Sequence, residues 1–495
     1  MDTRMTHVIN RALSKSVLVC FALSGTIPIS LAQSLPRDPG VRPVVNWNNI
    51  GGWTSDACPS ITPPVMVRPI TGLTDSELKL FCAGVAEFSK EDKVKEDGLG
   101  PTMNFTSCLG CHQYPAIGGS SPLGKNPQYD FAKSYPAGTN SVPPFVTPNG
   151  PIREARFKQH LDLPGQPDDG GVHSLFTITG LSGAAGCVLK QDDFAKEIAR
   201  KNIIYRIPTP TFGAGLVEYI DDEAIIDNVN RQATRSFGET GSVRVPRGRT
   251  NLVHPFHTNT GTENRNGNDG TIARFGWKAQ NKSLLTFAGE AYNVEIGISN
   301  EVFPTERDET KECQFHTVPN DTTNPEKLFS SDENDRLDAF SDVEKFAAFM
   351  RFLAPPEPST NTPGGEESIK RGAKTFEMIG CSACHTPELR TSPIGTVAAL
   401  RDRPVRLYSD LALHKMGDLA DGISQGLAGK DEFRSAPLWG LGQRVFFLHD
   451  GRTSDLVEAI VAHGSNGSDA KSVIDLYIAL SDKDKQDLLN FLRSL

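Results

Sequence analysis

Beyond Leu31 the chain has no run long and apolar enough to cross a bilayer as a helix, which excludes a helical membrane-spanning protein. Positive charge is not in excess either. Lys and Arg number 51 against 60 Asp and Glu, a formal net charge of −9. That balance argues against nucleic acid as a partner and leaves room for a basic electron-donor protein docking on an acidic face. No placed Ser-His-Asp set and no paired catalytic acids stand out, so nothing points to a hydrolase. Strong hydrophobic periodicity is missing from much of the middle of the chain, which is rich instead in Gly, Pro, Asn and Thr. Short helices, many turns and a few short strands, such as one around Leu175 to Ile178, are expected there. Asn264 to Gly270 reads as a polar, glycine-rich loop.

The first residues carry an export signature. Arg4, Arg11 and Lys15 precede an apolar run from Ser16 to Leu31, and Ser30-Leu31-Ala32 is a small-x-small cleavage site. The run is too short for an anchor and is interrupted by Gly25 and Pro28. Residues 1–32 therefore read as a signal peptide, no transmembrane anchor is expected after its cleavage, and a periplasmic location follows.

Against these absences stand two copies of one pentad, Cys108-Leu-Gly-Cys111-His112 and Cys381-Ser-Ala-Cys384-His385. Cys-x-x-Cys-His is the attachment signature of c-type haem: two thiols form thioethers with the haem and the histidine supplies an axial nitrogen. A zinc site would want the Cys pairs far closer in sequence, and a thioredoxin-like site a single motif beside a βαβ unit. The reading is two covalently bound haem c groups, attached after export. Of nine cysteines, Cys20 leaves with the signal and four hold haem. Cys58, Cys82, Cys187 and Cys313 remain, an even number compatible with one or two disulfides in an oxidising compartment, or with buried thiols.

Two segments close alike. Ser341-Asp-Val-Glu344 reads as a capping box opening a helix with Phe346, Phe349, Met350 and Leu353 on one face, stopped by Pro355-Pro356. Ser481-Asp-Lys-Asp484 opens another with Leu488, Leu489, Phe491, Leu492 and Leu495. The expected fold is mainly α with many loops, built as two cytochrome c-like haem domains. The N-terminal one, residues 33–353, is enlarged by a long loop-rich insertion with a few short strands. A Pro/Gly/Ser/Thr-rich linker, 354–366, leads to the C-terminal haem domain, 367–495.

The surroundings of the motifs carry a resemblance. Gly98-Leu-Gly-Pro-Thr-Met-Asn104 before the first pentad and Gly118-Gly-Ser-Ser after it, Arg206-Ile-Pro-Thr-Pro-Thr-Phe-Gly-Ala-Gly-Leu-Val-Glu218, and Arg274-Phe-Gly-Trp277-Lys-Ala-Gln280 resemble bacterial di-haem oxidoreductases described as peroxidases. So do Leu407-Tyr-Ser-Asp-Leu-Ala-Leu-His414-Lys-Met416-Gly, Pro437-Leu-Trp439-Gly-Leu-Gly, and Phe447-Leu-His449-Asp-Gly-Arg452 through Glu458 to His463-Gly. More distantly the chain is similar to di-haem cytochrome c peroxidases, to the di-haem enzyme that matures a tryptophan-derived quinone cofactor, and to latex-cleaving rubber oxygenases.

Each iron takes one ligand from its pentad, His112 or His385, and function turns on the other. A helix from Asp455 to His463 places Leu456, Ala459, Ile460 and His463 on one face. His463 stands where the resemblance puts a methionine ligand in the peroxidases, so it is the candidate sixth ligand of the C-terminal haem, with Met416 as rival; a core histidine bonded to a carbonyl is the plainer alternative. Bis-histidine ligation would give this haem a lower potential than methionine would. For the N-terminal haem no equally placed residue follows His112. His160, His173, His254, His257 and His316 all fall in loop-like stretches. The resemblance implies an open or weakly held sixth position there. Cleaving a peroxide O–O bond needs a carboxylate to move a proton between the two oxygens, and Glu218 stands where the peroxidases carry theirs; the alternative is a solvated or Arg206-paired carboxylate. Trp277 and Trp439 are candidates for an aromatic bridge between haems, and Arg274, Arg444 and Arg452 for partners of haem propionates. The peroxidases also leave room for a calcium ion between domains, although no Asp-rich loop specifies one.

The expected activity is peroxidase-like: a small oxidant such as hydrogen peroxide reacts at the His112 haem, and the His385/His463 haem relays electrons from a periplasmic donor. A non-catalytic two-haem electron carrier and an oxygenase resembling the rubber-cleaving enzymes are the alternatives. A strong sixth ligand at the N-terminal haem would favour the first. An apolar, carboxylate-free pocket there would favour the second.

Overall fold

Thr74 opens the first long helix, α1 (Asp75–Ser89), with a capping box: its side chain accepts from Glu77 N while Glu77 bonds back to Thr74 N at 2.7 Å. Phe81, Val85 and Phe88 recur at helical spacing and bury one face. That face meets α2 (Asp342–Phe352), whose Ser341/Glu344 box forms as its sequence requires and whose Phe346, Phe349 and Met350 are buried. Phe349 stacks on Phe81 at 5.8 Å and lies 4.6 Å from Phe88; Phe88 in turn meets the His112 ring edge-on at 6.0 Å. The helix crossing therefore abuts the first pentad directly.

The second pentad is framed in the same way. Helix α3 (Gly365–Ile379) ends at Gly380 in the left-handed conformation (φ 99°), and Cys381–Ala383 follows as a single 3-10 turn. It packs on the last helix, α4 (Asp482–Ser494), which Ser481 caps through Asp484 N at 3.1 Å. Phe376 meets Phe491 at 5.5 Å across the crossing.

Both crossings are close because each has a glycine at the contact. A methyl at Gly84 would strike the carbonyl oxygen of Lys345, and one at Gly372 the carbonyl oxygen of Asp487. Backbone cannot yield as a flexible side chain does. Gly372→Ala is accordingly expected to cost about 1–3 kcal/mol, read as a lower urea midpoint with unchanged slope; an unchanged midpoint would mean the helices can move apart freely.

The computed structural model describes residues 35–42, 57–61, 67–134, 140–159, 170–252, 272–361 and 363–495. The expected signal segment, His160, His254, His257 and the Asn264–Gly270 loop lie outside them. Pro36–Leu495 forms one compact unit of helices and loops with a few short strands. The largest sheet among the described residues has three strands: β1 (Glu154–Phe157) pairs antiparallel with both β2 (Val172–His173) and β3 (Ile203–Arg206). Phe176–Thr177, within the expected strand, pairs with Thr102–Met103. Two disulfides, Cys58–Cys82 and Cys187–Cys313, fasten the loop-rich part. The second closes 126 residues, a long loop whose constraint removes much chain entropy from the unfolded state. Among the described residues no helix is long and apolar enough to cross a membrane.

Candidate haem sites

Each pentad opens on its own large cavity. The first, about 1150 Å³ counting its mouth, is lined by Cys108, Cys111 and His112. The second, about 1410 Å³, is lined by Cys381, Cys384 and His385. None of these four cysteines is in a disulfide.

Three histidines share one local arrangement. Nδ1 of His112 donates to Gly119 O at 3.0 Å, that of His385 to Tyr408 O at 3.0 Å, and that of His463 to Ala459 O at 2.7 Å. A carbonyl only accepts, so the proton sits on Nδ1 and Nε2 keeps its lone pair, the tautomer a metal ligand needs. His463 lines the His385 cavity. His414 lines it too, but both its nitrogens are engaged: Nε2 with Asp410 at 2.9 Å, Nδ1 with Cys384 Sγ at 3.5 Å. Met416 also reaches this cavity, so both ligand candidates stand on its wall.

The two cavities differ in chemistry. The second is walled mainly by Phe, Leu, Ile and Val, and among the described residues no carboxylate lines it. Arg434 and Arg444 provide its positive charge. Arg434 is held by Gly276 O and Ser435 O, whereas the Arg444 guanidinium has no hydrogen-bond or acidic partner among the described residues. A buried cation facing a cavity without a counter-ion suits a carboxylate-bearing ligand.

The first cavity is also lined mostly by apolar side chains, but it carries charged ones as well. Glu154, Glu290, Glu295, Arg156, Arg206 and Gln280 lie on its wall, and no histidine besides His112 does among the described residues. Met350 supplies a thioether to the same wall. Strand pairing builds half of the polar set: Glu154 stands opposite Arg206 in the β1–β3 ladder, and Arg156, two residues on, shares the face of Glu154. The other half comes from a helix, Leu284–Ala291, which carries Glu290 and runs into a π-helical turn, Tyr292–Ile296, carrying Glu295.

Glu154 and Glu295 are hydrogen-bonded carboxyl to carboxyl. Burial pushes Glu154 up, but Arg156, the bond from Glu295 and Arg206 outweigh it, leaving its pKa below the usual range. Burial, then the charge of Glu154, pushes Glu295 well above it. The pair thus holds one proton, with Glu295 as its carrier. Burial also raises Glu290 to about 7, against a hydrogen bond from Asn281. Three buried polar atoms on this wall, Asn104 Oδ1, Arg206 Nε and Gln280 Oε1, have no protein partner. Unsatisfied atoms of this kind mark a cavity built for a polar-edged occupant.

Several expected site residues fall elsewhere. Glu218 is off the cavity wall: its carboxylate accepts from Leu284 N at 2.8 Å and Arg351 Nε at 2.7 Å, capping one helix and pairing with another. A carboxylate so engaged has no route to a ligand on His112's side. Arg274 is buried against Asp222 and the carbonyls of Val217 and Ile220, on neither haem-sized cavity. Arg452 is half-exposed and chelated by Asp450. His316 bonds to Val94 O, and His173 stacks on Phe157; neither lines the first cavity. Trp277 borders both cavities, its Nε1 donating to Ile207 O at 3.0 Å, while Trp439 borders neither. Glu154, Glu290, Glu295, Arg156 and Arg434 had no signal in the sequence, since strand pairing and a π turn bring them together. Among the described residues no group of three or more His, Cys, Asp or Glu is placed to hold a metal ion, so no side-chain set for calcium emerges.

Residues 183–495 match the family described as "Di-haem oxidoreductase, putative peroxidase". The chain belongs to that family. Haem is therefore its cofactor and redox chemistry its general function; both cavities have thiols and an imidazole nitrogen for it, and the second adds the unpaired Arg444. The first pentad lies ahead of the matched segment. No curated protein matches the chain. Among solved structures it is similar to a hydrazine synthase of Kuenenia stuttgartiensis pressurised with xenon, at 16% identity over 56% of this chain and 88% of that one, TM-score 0.26. It is likewise similar to a MauG-like protein associated with microbial copper homeostasis, at 16% identity over 58% and 89%, TM-score 0.27. Likenesses this low carry no chemistry across.

Proposed function

We propose that this di-haem oxidoreductase is a periplasmic peroxidase that reduces a small oxidant such as hydrogen peroxide in the Cys108/Cys111/His112 cavity. Electrons reach it through the Cys381/Cys384/His385 cavity. The observation that carries the reading is the contrast between the cavities: among the described residues, three carboxylates and no second histidine on one wall, His463 and no carboxylate on the other.

Haem c, attached through the four cysteines, would supply iron that gives electrons to the oxidant. The rest falls to the chain. His112 would hold the haem of the first cavity, and His385 with His463 that of the second. Arg206, with Nε free, and Arg444 receive haem carboxylates. Glu295 holds a proton against Glu154 and delivers it to the outer oxygen of the peroxide, so that it leaves as water, while Glu154 takes up the proton of the inner oxygen. Trp277, bordering both cavities, carries the electrons between them. Two disulfides agree with an oxidising compartment.

Three carboxylates around the first cavity also count against the rubber-oxygenase-like alternative, which wants an apolar pocket. The test is steady-state consumption of hydrogen peroxide with a reduced one-electron donor. Stoichiometric oxidation, two donors per peroxide, is expected. Oxidation of the donor no faster with protein than without would leave the electron-carrier reading.

A further inference from the structure

The wall between the cavities contains buried charges that no step above uses. Lys278, directly after Trp277, is fully buried. Its ammonium donates to Gly429 O at 3.0 Å and Glu432 O at 2.8 Å, and pairs with Asp421 at 3.1 Å. The other Asp421 oxygen accepts from Arg206 at 2.6 Å, and both side chains are at least 96% buried. On one side Arg206 lines the His112 cavity. On the other, Lys278 sits 4.2 Å over the ring of Phe433, which stacks on His449 at 4.3 Å, and both rings line the His385 cavity. The charges therefore form a continuous contact from one cavity wall to the other.

Buried ion pairs seldom repay their desolvation as stability, because each charge gives up water to make them. What a fixed charge in a low-dielectric wall does provide is a field on both sides of it. A cation stabilises the electron-rich state of a nearby redox group and an anion the electron-poor state; burial and local charge are among the levers that set a haem's potential.

We propose that Lys278 and Asp421 are the tuning charges of the partition, Lys278 making both haems easier to reduce and Asp421 making both harder. The inference rests on the placement of one haem in each cavity. Neither residue is a ligand or touches the oxidant; they act through the field.

The test is an optical redox titration of the intact protein and of Lys278→Met and Asp421→Asn, with haem counted by mass. Lys278→Met keeps the length of the side chain and leaves the Arg206–Asp421 pair in place. Its two midpoint potentials are expected to fall, and those of Asp421→Asn to rise, with two haems retained in each. A merely structural role predicts no such opposition. Shifts of the same sign in both variants, or unchanged potentials, would overturn the proposal. Should one variant not fold, the sign of the other still decides. Fewer than two haems in the parent protein would instead overturn the two-haem placement, an outcome the mass reads separately.

Discussion

Glu295→Gln is expected to slow the reaction of the ferric protein with hydrogen peroxide by roughly 10²–10⁴-fold, the usual contribution of a positioned acid–base group, with both haems retained. Glutamine keeps the shape and can still hydrogen-bond to Glu154, but it has no proton to give. Glu295 is the carrier because burial and the neighbouring Glu154 charge push its pKa well up, while Arg156 and Arg206 hold Glu154 down. Stopped-flow absorbance of the first haem measures the step. Glu218→Gln is the informative companion. Its carboxylate is committed to Arg351 and Leu284 N, so the rate should stay within about twofold, far short of the loss expected of an acid–base group. A large loss in Glu218→Gln with little in Glu295→Gln would reverse the assignment.

His463→Gly is expected to convert the C-terminal haem wholly from low-spin to high-spin, with added imidazole restoring the low-spin form. The reason is the Nδ1 bond to Ala459 O, which leaves Nε2 as a ligand on the wall of the His385 cavity. Met416→Leu should leave the low-spin spectrum intact. The reverse pair of results would make Met416 the ligand and raise the expected potential of that haem.

Much of this is legible in the sequence. The pentads name their own chemistry because thiol, thiol and imidazole must lie within one turn of each other. Ser341 and Ser481 announce their helices because a capping bond is local, and the face of Phe346, Phe349 and Met350 follows from helical spacing. His463 could be singled out because Leu456, Ala459 and Ile460 precede it at that same spacing.

The polar wall could not. Glu154 and Arg206 meet only because two short strands pair across the loop-rich segment, whose composition gives no register. Glu290 and Glu295 are five apart, on different faces of an ordinary helix; the π turn, with its i→i+5 bonds, re-aims the second of them. Glu218 shows the opposite failure. A glutamate after a glycine-rich turn looks the same whether it faces a cavity or the N-terminus of a neighbouring helix, and the partner that decides, Arg351, is 133 residues away. Arg274 has the charge that a propionate would want, but Asp222, 52 residues off, takes it up.

On the proposed reading the two haems are unlike: one open in a proton-supplying cavity, one closed by His463. Electron paramagnetic resonance of the purified ferric protein, before and after hydrogen peroxide, tests it most directly. One high-spin and one low-spin signal are predicted, with the high-spin signal consumed by peroxide. Two low-spin signals indifferent to peroxide, even after partial reduction, would contradict it.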